Sequence, residues 1–387
     1  MNNLDVNEYI EITRFVKDQP NRSQTINDIY SVITCCVDKS LDIPRLFICN
    51  TTDRVCEAIE SDGQTYIIID EYLLATFDEL NRIMLRLKAD SSADYVDVLF
   101  TKLSMEYLFI DKGYVDPVGI IHYACVFDKM RGPLSLKVRE DDIVLFIQTF
   151  FVIYHEMMHI LLRKIDYNET IAVKRRHFLD DYLSLDLPEL SPEETVKLIY
   201  PIELQKDKDL DEYLRNQDIS KLYELIRRLN SDQESYVKKI LETRDEVIEE
   251  CVCEQFAALA TVQLFVSILH LEPSYIIGII HLTILYLEIL WLTRELLVTE
   301  KGPEYIAEKQ IRKDIFKIEM PALIEAYTRT DYDLLEKCDS LLTEQHIKYT
   351  RLLKDKFISN AALKRDSIIE LGKKDYIGDV DAMIRRL

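Results

Sequence analysis

Hydrophobic positions follow a helical period at the start of the chain and then change to the short runs that are typical of strands. Ile26, Ile29 and Ile33 lie at helical spacing, so we expect the first forty residues to be mainly helical. A turn sequence, Ser61-Asp62-Gly63, separates two later apolar runs, as in a hairpin. The apolar runs predict three short strands, which we expect to form a small antiparallel sheet: 44–49, 55–59 and 64–69.

Most of the remaining chain shows helical periods. Residues 73–87 predict a helix directly after the third strand, whereas the short apolar runs between 89 and 140 fit either a strand or a buried helix. Three long, nearly uncharged segments then predict buried helices: 143–162, 251–269 and 275–292. We therefore expect an α+β fold that is predominantly α-helical.

Polar composition marks the segments between and after these helices. Residues 166–245 contain clustered charges with Leu and Tyr at helical intervals, and we interpret them as surface helices inserted into a domain that spans 1–300. A lid over a site is one role for this insertion, and a solvated surface is the commoner explanation. Residues 301–387 predict charged amphipathic helices whose role the sequence does not define.

The charge and the cysteines of the chain limit its partners and its compartment. The 387 residues carry a formal net charge of -21, which repels nucleic-acid backbones and anionic membrane surfaces. The N-terminal segment has no basic stretch followed by an apolar stretch, and the eight cysteines follow no framework spacing, so we expect a reduced, cytoplasmic protein. The three long apolar segments leave an integral membrane protein as an alternative, although the polar groups within them make it costly.

One charged residue interrupts the apolar helix predicted at 143–162. It is Glu156, within the sequence His155-Glu156-Met157-Met158-His159. Residues four apart share a face of a helix, so both histidines can bind one ion while Glu156 lies beside it. This is the HExxH spacing of zinc proteases. Core histidines in a chance match are the ordinary explanation, but an unpaired carboxylate in an apolar helix is costly, which favours a site.

A catalytic zinc site requires a third protein ligand. The glycine and third histidine of metzincins are absent after the motif, and Asp166 could serve only if the chain doubled back. Glu250 and Glu254 are better candidates, because they share a helix face within an otherwise apolar segment. Glu246 and Glu249 compete with Glu250 for the ligand position, and a charged helix N-terminus is a structural explanation for these two.

The two motifs together resemble the gluzincin type of zincin metallopeptidase. In that family an ExxxD helix follows HExxH, and Glu254 stands here at the position of the Asp. Carried over to this chain, the resemblance implies Zn²⁺ bound by His155, His159 and Glu250. It also implies Glu156 as the general base and Glu254 as the partner that orients one of the histidines.

Segments before HExxH also follow an order similar to that of gluzincins related to CAAX proteases. A strand containing Cys56-Glu57-Ala58 precedes a second strand, a Leu73-Leu74 pair and a helix. The resemblance implies a zincin-like catalytic core in which the small sheet accompanies the active-site helix. An extended substrate peptide would then be expected to add to the sheet near 55–59.

These features predict a zinc-dependent metallopeptidase that acts on a peptide or protein substrate. A catalytically silent zincin-fold interaction protein is the alternative, and an intramembrane metallopeptidase is a less favoured one. The sequence defines neither the substrate nor the oligomeric state, and it does not choose among the downstream residues that could stabilise an oxyanion: His270, Tyr275, His281, Tyr286 and Arg294.

Overall fold

The computed structural model describes residues 20–36, 42–49, 54, 56–61, 63–90, 103, 138–164, 167–184, 237–298, 308, 311–312, 314–316 and 319. The described chain is mostly helical with one small sheet, which confirms the expected α+β, mainly α class. Its elements in chain order are α1 (Pro20–Cys36), β1 (Arg45–Cys49), β2 (Cys56–Ser61), β3 (Gln64–Asp70), α2 (Glu71–Asp90), α3 (Val138–Lys164), α4 (Tyr167–Ser184), α5 (Asp245–Leu269) and α6 (Pro273–Val298).

The sheet has three strands in the order β1-β3-β2. Strands β2 and β3 form the expected antiparallel hairpin, and Gly63 adopts a φ of 71° in the turn between them. Strand β1 pairs with β3 in parallel, with Arg45 opposite Tyr66, so the prediction of an entirely antiparallel sheet was wrong. The apolar pattern identifies a strand but not its direction, because the same side-chain alternation fits a parallel and an antiparallel neighbour.

A buried carboxylate joins the sheet to the following helix. The Oδ1 atom of Asp70 accepts a hydrogen bond of 2.8 Å from the backbone N–H of Tyr72, which is the geometry of a helix N-cap. Its Oδ2 atom accepts a bond of 3.1 Å from the N–H of Arg54. Arg54 has a φ of 57°, a conformation that costs energy for a residue with a side chain. Asp70 therefore fixes the start of α2 and the approach to β2 together.

Helix α3 lies at the centre of the hydrophobic core. It contacts α1, α2 and α6 as well as strands β2 and β3. It also meets α5 through aromatic rings, where Phe265 lies edge-on to Phe146 and Phe150 at centroid distances of 5.7 Å and 5.6 Å. The sequence predicted this helix at 143–162, and its central position explains why so few polar residues occur along it.

Residue contacts divide the chain into two compact units. The first contains Met1–Ile165, Cys253–Lys301 and Met320–Leu387, and the second contains Asp166–Val252 and Gly302–Glu319. Within the second unit, Arg175 forms an ion pair with Asp245. The division into a peptidase domain at 1–300, with an insertion at 166–245, and a C-terminal region at 301–387 stays a prediction. Most of the C-terminal region and residues 185–236 of the insertion lie outside the described residues.

Two described helices are long and apolar enough to cross a membrane. They are Ile143–Lys164 and Asp245–Leu269, and 67% and 56% of their most apolar windows are buried within the protein. A core helix of a soluble protein has the same length and composition, so these values are weak evidence for a membrane protein.

Candidate metal centre

The two histidines of the HExxH motif point their Nε2 atoms at the same place. His155 is half-buried and His159 is buried, and the two Nε2 atoms lie 3.2 Å apart. Zinc–nitrogen bonds of about 2.0–2.1 Å at tetrahedral angles place two histidine nitrogens about 3.3 Å apart. The observed separation therefore fits two ligands of one tetrahedral ion, and it also fits a hydrogen bond between neutral imidazoles.

Glu250 completes a set of three side chains with the spacing of a metal site. One ligand atom from each of His155, His159 and Glu250 lies within 4.8 Å of the others. Helix α5 is unbroken from Asp245 to Leu269, so Glu250 is held one turn before Glu254. Two histidines and a carboxylate are a ligand set that suits catalytic zinc, and the residues present therefore fit the ion.

The other acidic residues of α5 have different surroundings. Glu246 is exposed and pairs with Arg244 at 3.3 Å, as expected for a charge in the first turn of a helix. Glu249 is buried and accepts a hydrogen bond of 2.9 Å from the hydroxyl of Tyr167. These partners account for Glu246 and Glu249, whereas Glu250 is the acidic residue that groups with both histidines among the described residues.

The roles predicted for Glu254, as the partner that orients a histidine, and for Asp166, as a possible third ligand, are not tested by the structure. Glu254 is buried on the same face of α5, one turn after Glu250, and its role in orienting a histidine stays a prediction. Asp166 lies outside the described residues.

The carboxylate of Glu156 is buried and has a backbone partner that the sequence did not indicate. Its Oε2 atom accepts a hydrogen bond of 2.8 Å from the N–H of Ala58 on β2. Among the described strands, β2 lies at the edge of the sheet, so this N–H is on the side of β2 that faces α3 rather than β3. The contact spans 98 positions in the sequence, and no local pattern could have revealed it.

A second contact shows that β2 runs alongside the motif helix. The thiol of Cys56 lies 3.9 Å from the carbonyl oxygen of Val152. A strand advances about 6.6 Å from Cys56 to Ala58, and a helix advances about 6 Å from Val152 to Glu156. Because these lengths are nearly equal, both contacts can form between one stretch of β2 and one stretch of α3. Burial raises the pKa of the Cys56 thiol well above its usual value, and the charge of Glu156 adds to the shift.

The residues considered for oxyanion stabilisation differ in exposure. Tyr275 and His270 are exposed, and Arg294 lies in α6. Tyr286 is fully buried against Phe77, with ring centroids 6.0 Å apart, and burial raises its pKa well above the usual value. The geometry does not single out one of these side chains.

The second unit contains another histidine between two carboxylates. His177 Nε2 lies 3.1 Å from Oε1 of Glu319, and its Nδ1 lies 3.4 Å from Oδ2 of Asp181. The three residues are close enough to hold a metal ion. However, each carboxylate faces a different nitrogen of the ring, so an ion at one nitrogen would face only one of them directly. The arrangement is better explained as a histidine that bridges two acids.

Comparisons with protein-family models, with curated proteins and with solved structures found no match to this chain.

Proposed function

We propose that this chain is a zinc-dependent metallopeptidase of the gluzincin type. His155, His159 and Glu250 would hold the Zn²⁺ ion, with Glu156 as the general base. The observation that carries the proposal is the convergence of the two Nε2 atoms at 3.2 Å together with Glu250 in the same set of ligand atoms. Glu156 lies on the same helix, next to the first histidine, as the chemistry requires.

The proposed reaction is the hydrolysis of a peptide bond. A bound zinc ion supplies a site that acidifies water and polarises the substrate carbonyl. The carboxylate of Glu156 takes a proton from the attacking water and returns it to the leaving amine nitrogen. Glu156 is mostly buried, which limits its contact with bulk water and suits this role.

The substrate would be a peptide or protein segment in extended form. Among the described strands, β2 lies at the edge of the sheet beside Glu156, and an extended chain can pair with an edge strand through its backbone. The net charge of -21 disfavours nucleic acid as a partner. We propose a cytoplasmic location, and the burial of more than half of each long apolar window supports a place outside the membrane.

The alternative is a catalytically silent protein with the same scaffold. The bond from Ala58 to Glu156 favours this alternative, because it gives the carboxylate a structural reason to be present. An intramembrane peptidase rests only on the length and composition of two helices. It would partition into the detergent phase of a cloud-point extraction, whereas the proposed enzyme would stay in the aqueous phase.

Metal analysis and a cleavage assay on the same preparations would test the proposal. We expect about one zinc per chain in the protein purified without chelator, as in other catalytic sites with three protein ligands. Glu250→Ala should lose or weaken zinc binding, whereas Glu246→Ala, the matched control on the same helix, should retain it. Cleavage of a diverse peptide mixture, followed by mass spectrometry, should disappear with chelator and return with added zinc. A wild-type protein that binds no zinc after reconstitution would overturn the proposal.

A further inference from the structure

We propose that Arg312 is a positioning residue for the Glu250 carboxylate. This inference rests on the proposed function, since it assigns a role to Arg312 in metal binding. The Nη2 atom of Arg312 lies 2.7 Å from Oε2 of Glu250. A contact of this length between a guanidinium and a carboxylate is a charge-assisted hydrogen bond, which is stronger and more directional than one between neutral groups.

The backbone around Arg312 is anchored independently of Glu250. Its described neighbours Ile311, Ile315 and Phe316 are almost completely buried, with exposed fractions of 0%, 2% and 2%. The side chain of Arg312 is 18% exposed. A side chain that extends from such a fixed segment can hold its partner in one place, whereas a guanidinium on a mobile segment could not.

Glu250 is the member of the proposed ligand set that most needs such support. Its side chain is 34% exposed, whereas His159 is buried and both histidines are held by the central helix α3. A glutamate side chain has several rotatable bonds, and a ligand must be restricted to the conformation that meets the ion. A carboxylate has about four lone-pair directions, so it can accept a bond from Arg312 and bind a cation at the same time.

The positive charge of Arg312 does not make the ligand region cationic. The first part of α5 carries five acidic side chains: Asp245, Glu246, Glu249, Glu250 and Glu254. Arginines pair with Asp245, Glu246 and Glu250, and the further carboxylates of Glu249 and Glu254 still favour a divalent cation. We therefore expect the orienting effect of Arg312 to outweigh its repulsion of the ion.

Zinc affinity, measured by competition with a chromophoric chelator, tests the proposal. Removing a residue that orients a metal ligand typically weakens binding about 10–100-fold, and we expect Arg312→Ala to fall in this range. Arg312→Lys should recover part of the affinity, because the ammonium restores the charge but not the planar guanidinium. The matched control is Arg244→Ala, which removes the same charge from a residue that pairs with Glu246 at 3.3 Å and Glu308 at 3.8 Å. We expect it to bind zinc as the wild type does.

A double-mutant cycle separates positioning from a general effect on folding. If Arg312 acts through Glu250, Arg312→Ala should have no further effect on zinc affinity in the Glu250→Ala background. Additive losses would overturn the proposal, as would an Arg312→Ala protein that binds zinc as tightly as the wild type or more tightly. Wild-type protein that binds no zinc would overturn the proposed function itself. If the wild type binds zinc and Arg312→Ala binds it with the same affinity, only the role of Arg312 would be overturned.

Discussion

The Oε2 atom of Glu156 lies 2.8 Å from the backbone nitrogen of Ala58, so the proposed general base is also the partner of an edge-strand N–H. The same N–H is one that an extended peptide would need if it paired with β2 at this position. Glu156 therefore has two roles to be separated, one in the chemistry and one in holding β2 against α3.

Substitution of Glu156 by glutamine separates the two roles. Glutamine has a side-chain oxygen that can accept the bond from Ala58, but it cannot take a proton from water. We expect Glu156→Gln to retain zinc and nearly all of its stability while losing peptidase activity by about 10²–10⁴-fold. Elemental analysis, urea unfolding and the cleavage assay measure these three properties.

Alanine at the same position should affect stability as well. Glu156→Ala leaves the N–H of Ala58 buried without its acceptor, which costs about 1–3 kcal/mol in the free energy of unfolding. Glu60→Gln, on an exposed position of β2, is the control and should change neither the free energy of unfolding nor the peptidase activity. Full activity in Glu156→Gln would contradict the general-base role, whereas a wild type that binds zinc but cleaves no peptide would favour the catalytically silent alternative.

Asp70 should be one of the most sensitive polar positions in the first unit. Its carboxylate is fully buried, caps α2 through Tyr72 and binds the N–H of Arg54. Loss of the cap and of the second acceptor should lower the free energy of unfolding of Asp70→Ala by about 2 kcal/mol or more. Asp70→Asn should lose less, since it keeps one oxygen acceptor.

An exposed aspartate provides the comparison for Asp70. Asp28 accepts a hydrogen bond of 2.8 Å from Gln24 on the surface of α1. Asp28→Ala should change the free energy of unfolding by no more than about 0.5 kcal/mol. Equal losses for Asp28→Ala and Asp70→Ala in urea unfolding would show that the contacts of Asp70 contribute little.

Local patterns predicted the elements better than their pairing. The strand expected at 64–69 is Gln64–Asp70, and the helix expected at 143–162 is Val138–Lys164, because side-chain period and turn residues act over short distances. The parallel pairing of β1 with β3 depends on contacts between distant segments, and the sequence pattern gave no information on its direction.

The same distinction applies to the candidate site. His155 and His159 are four residues apart on one helix, so their convergence follows from helical geometry alone. Glu250 could be proposed because a carboxylate is conspicuous in an apolar helix. Arg312 and the N–H of Ala58 gave no such signal, since a charged residue in a polar segment and a backbone group in a strand are common everywhere.

A pair of buried amides should couple α2 to the motif helix α3. Asn81 Nδ2 donates to Gln148 Oε1 at 2.8 Å, and Gln148 Nε2 donates to Asn81 Oδ1 at 3.3 Å. Asn81→Leu or Gln148→Leu alone leaves a buried amide without its partner and should cost about 1–3 kcal/mol. The double variant should cost less than the sum of the single variants, with a coupling energy of about 0.5–3 kcal/mol in urea unfolding. Additive losses would mean that the two amides do not act as a pair.

Alkaline pH should weaken the attachment of α1 to β1. Tyr30 donates a hydrogen bond from its hydroxyl to the carbonyl oxygen of Pro44, and burial raises the pKa of Tyr30 to about 12. In the unfolded chain the tyrosine loses its proton near pH 10, whereas in the folded protein it keeps the proton until about pH 12. The unfolded state binds fewer protons over this interval, so this contribution to stability is complete below pH 10 and is lost as the pH rises toward 12.

A comparison of wild type with Tyr30→Phe isolates this contribution. At pH 8 we expect the wild type to be more stable by about 1 kcal/mol, the typical value of one hydrogen bond. This advantage should shrink as urea unfolding is repeated at increasing pH toward 11. The raised pKa values of Cys56 and Tyr286 are common to both proteins and cancel in the difference. Thr34→Ala, which removes a non-titrating hydroxyl from the same helix, should show a difference that does not change with pH, and the same constant difference for Tyr30→Phe would contradict the prediction.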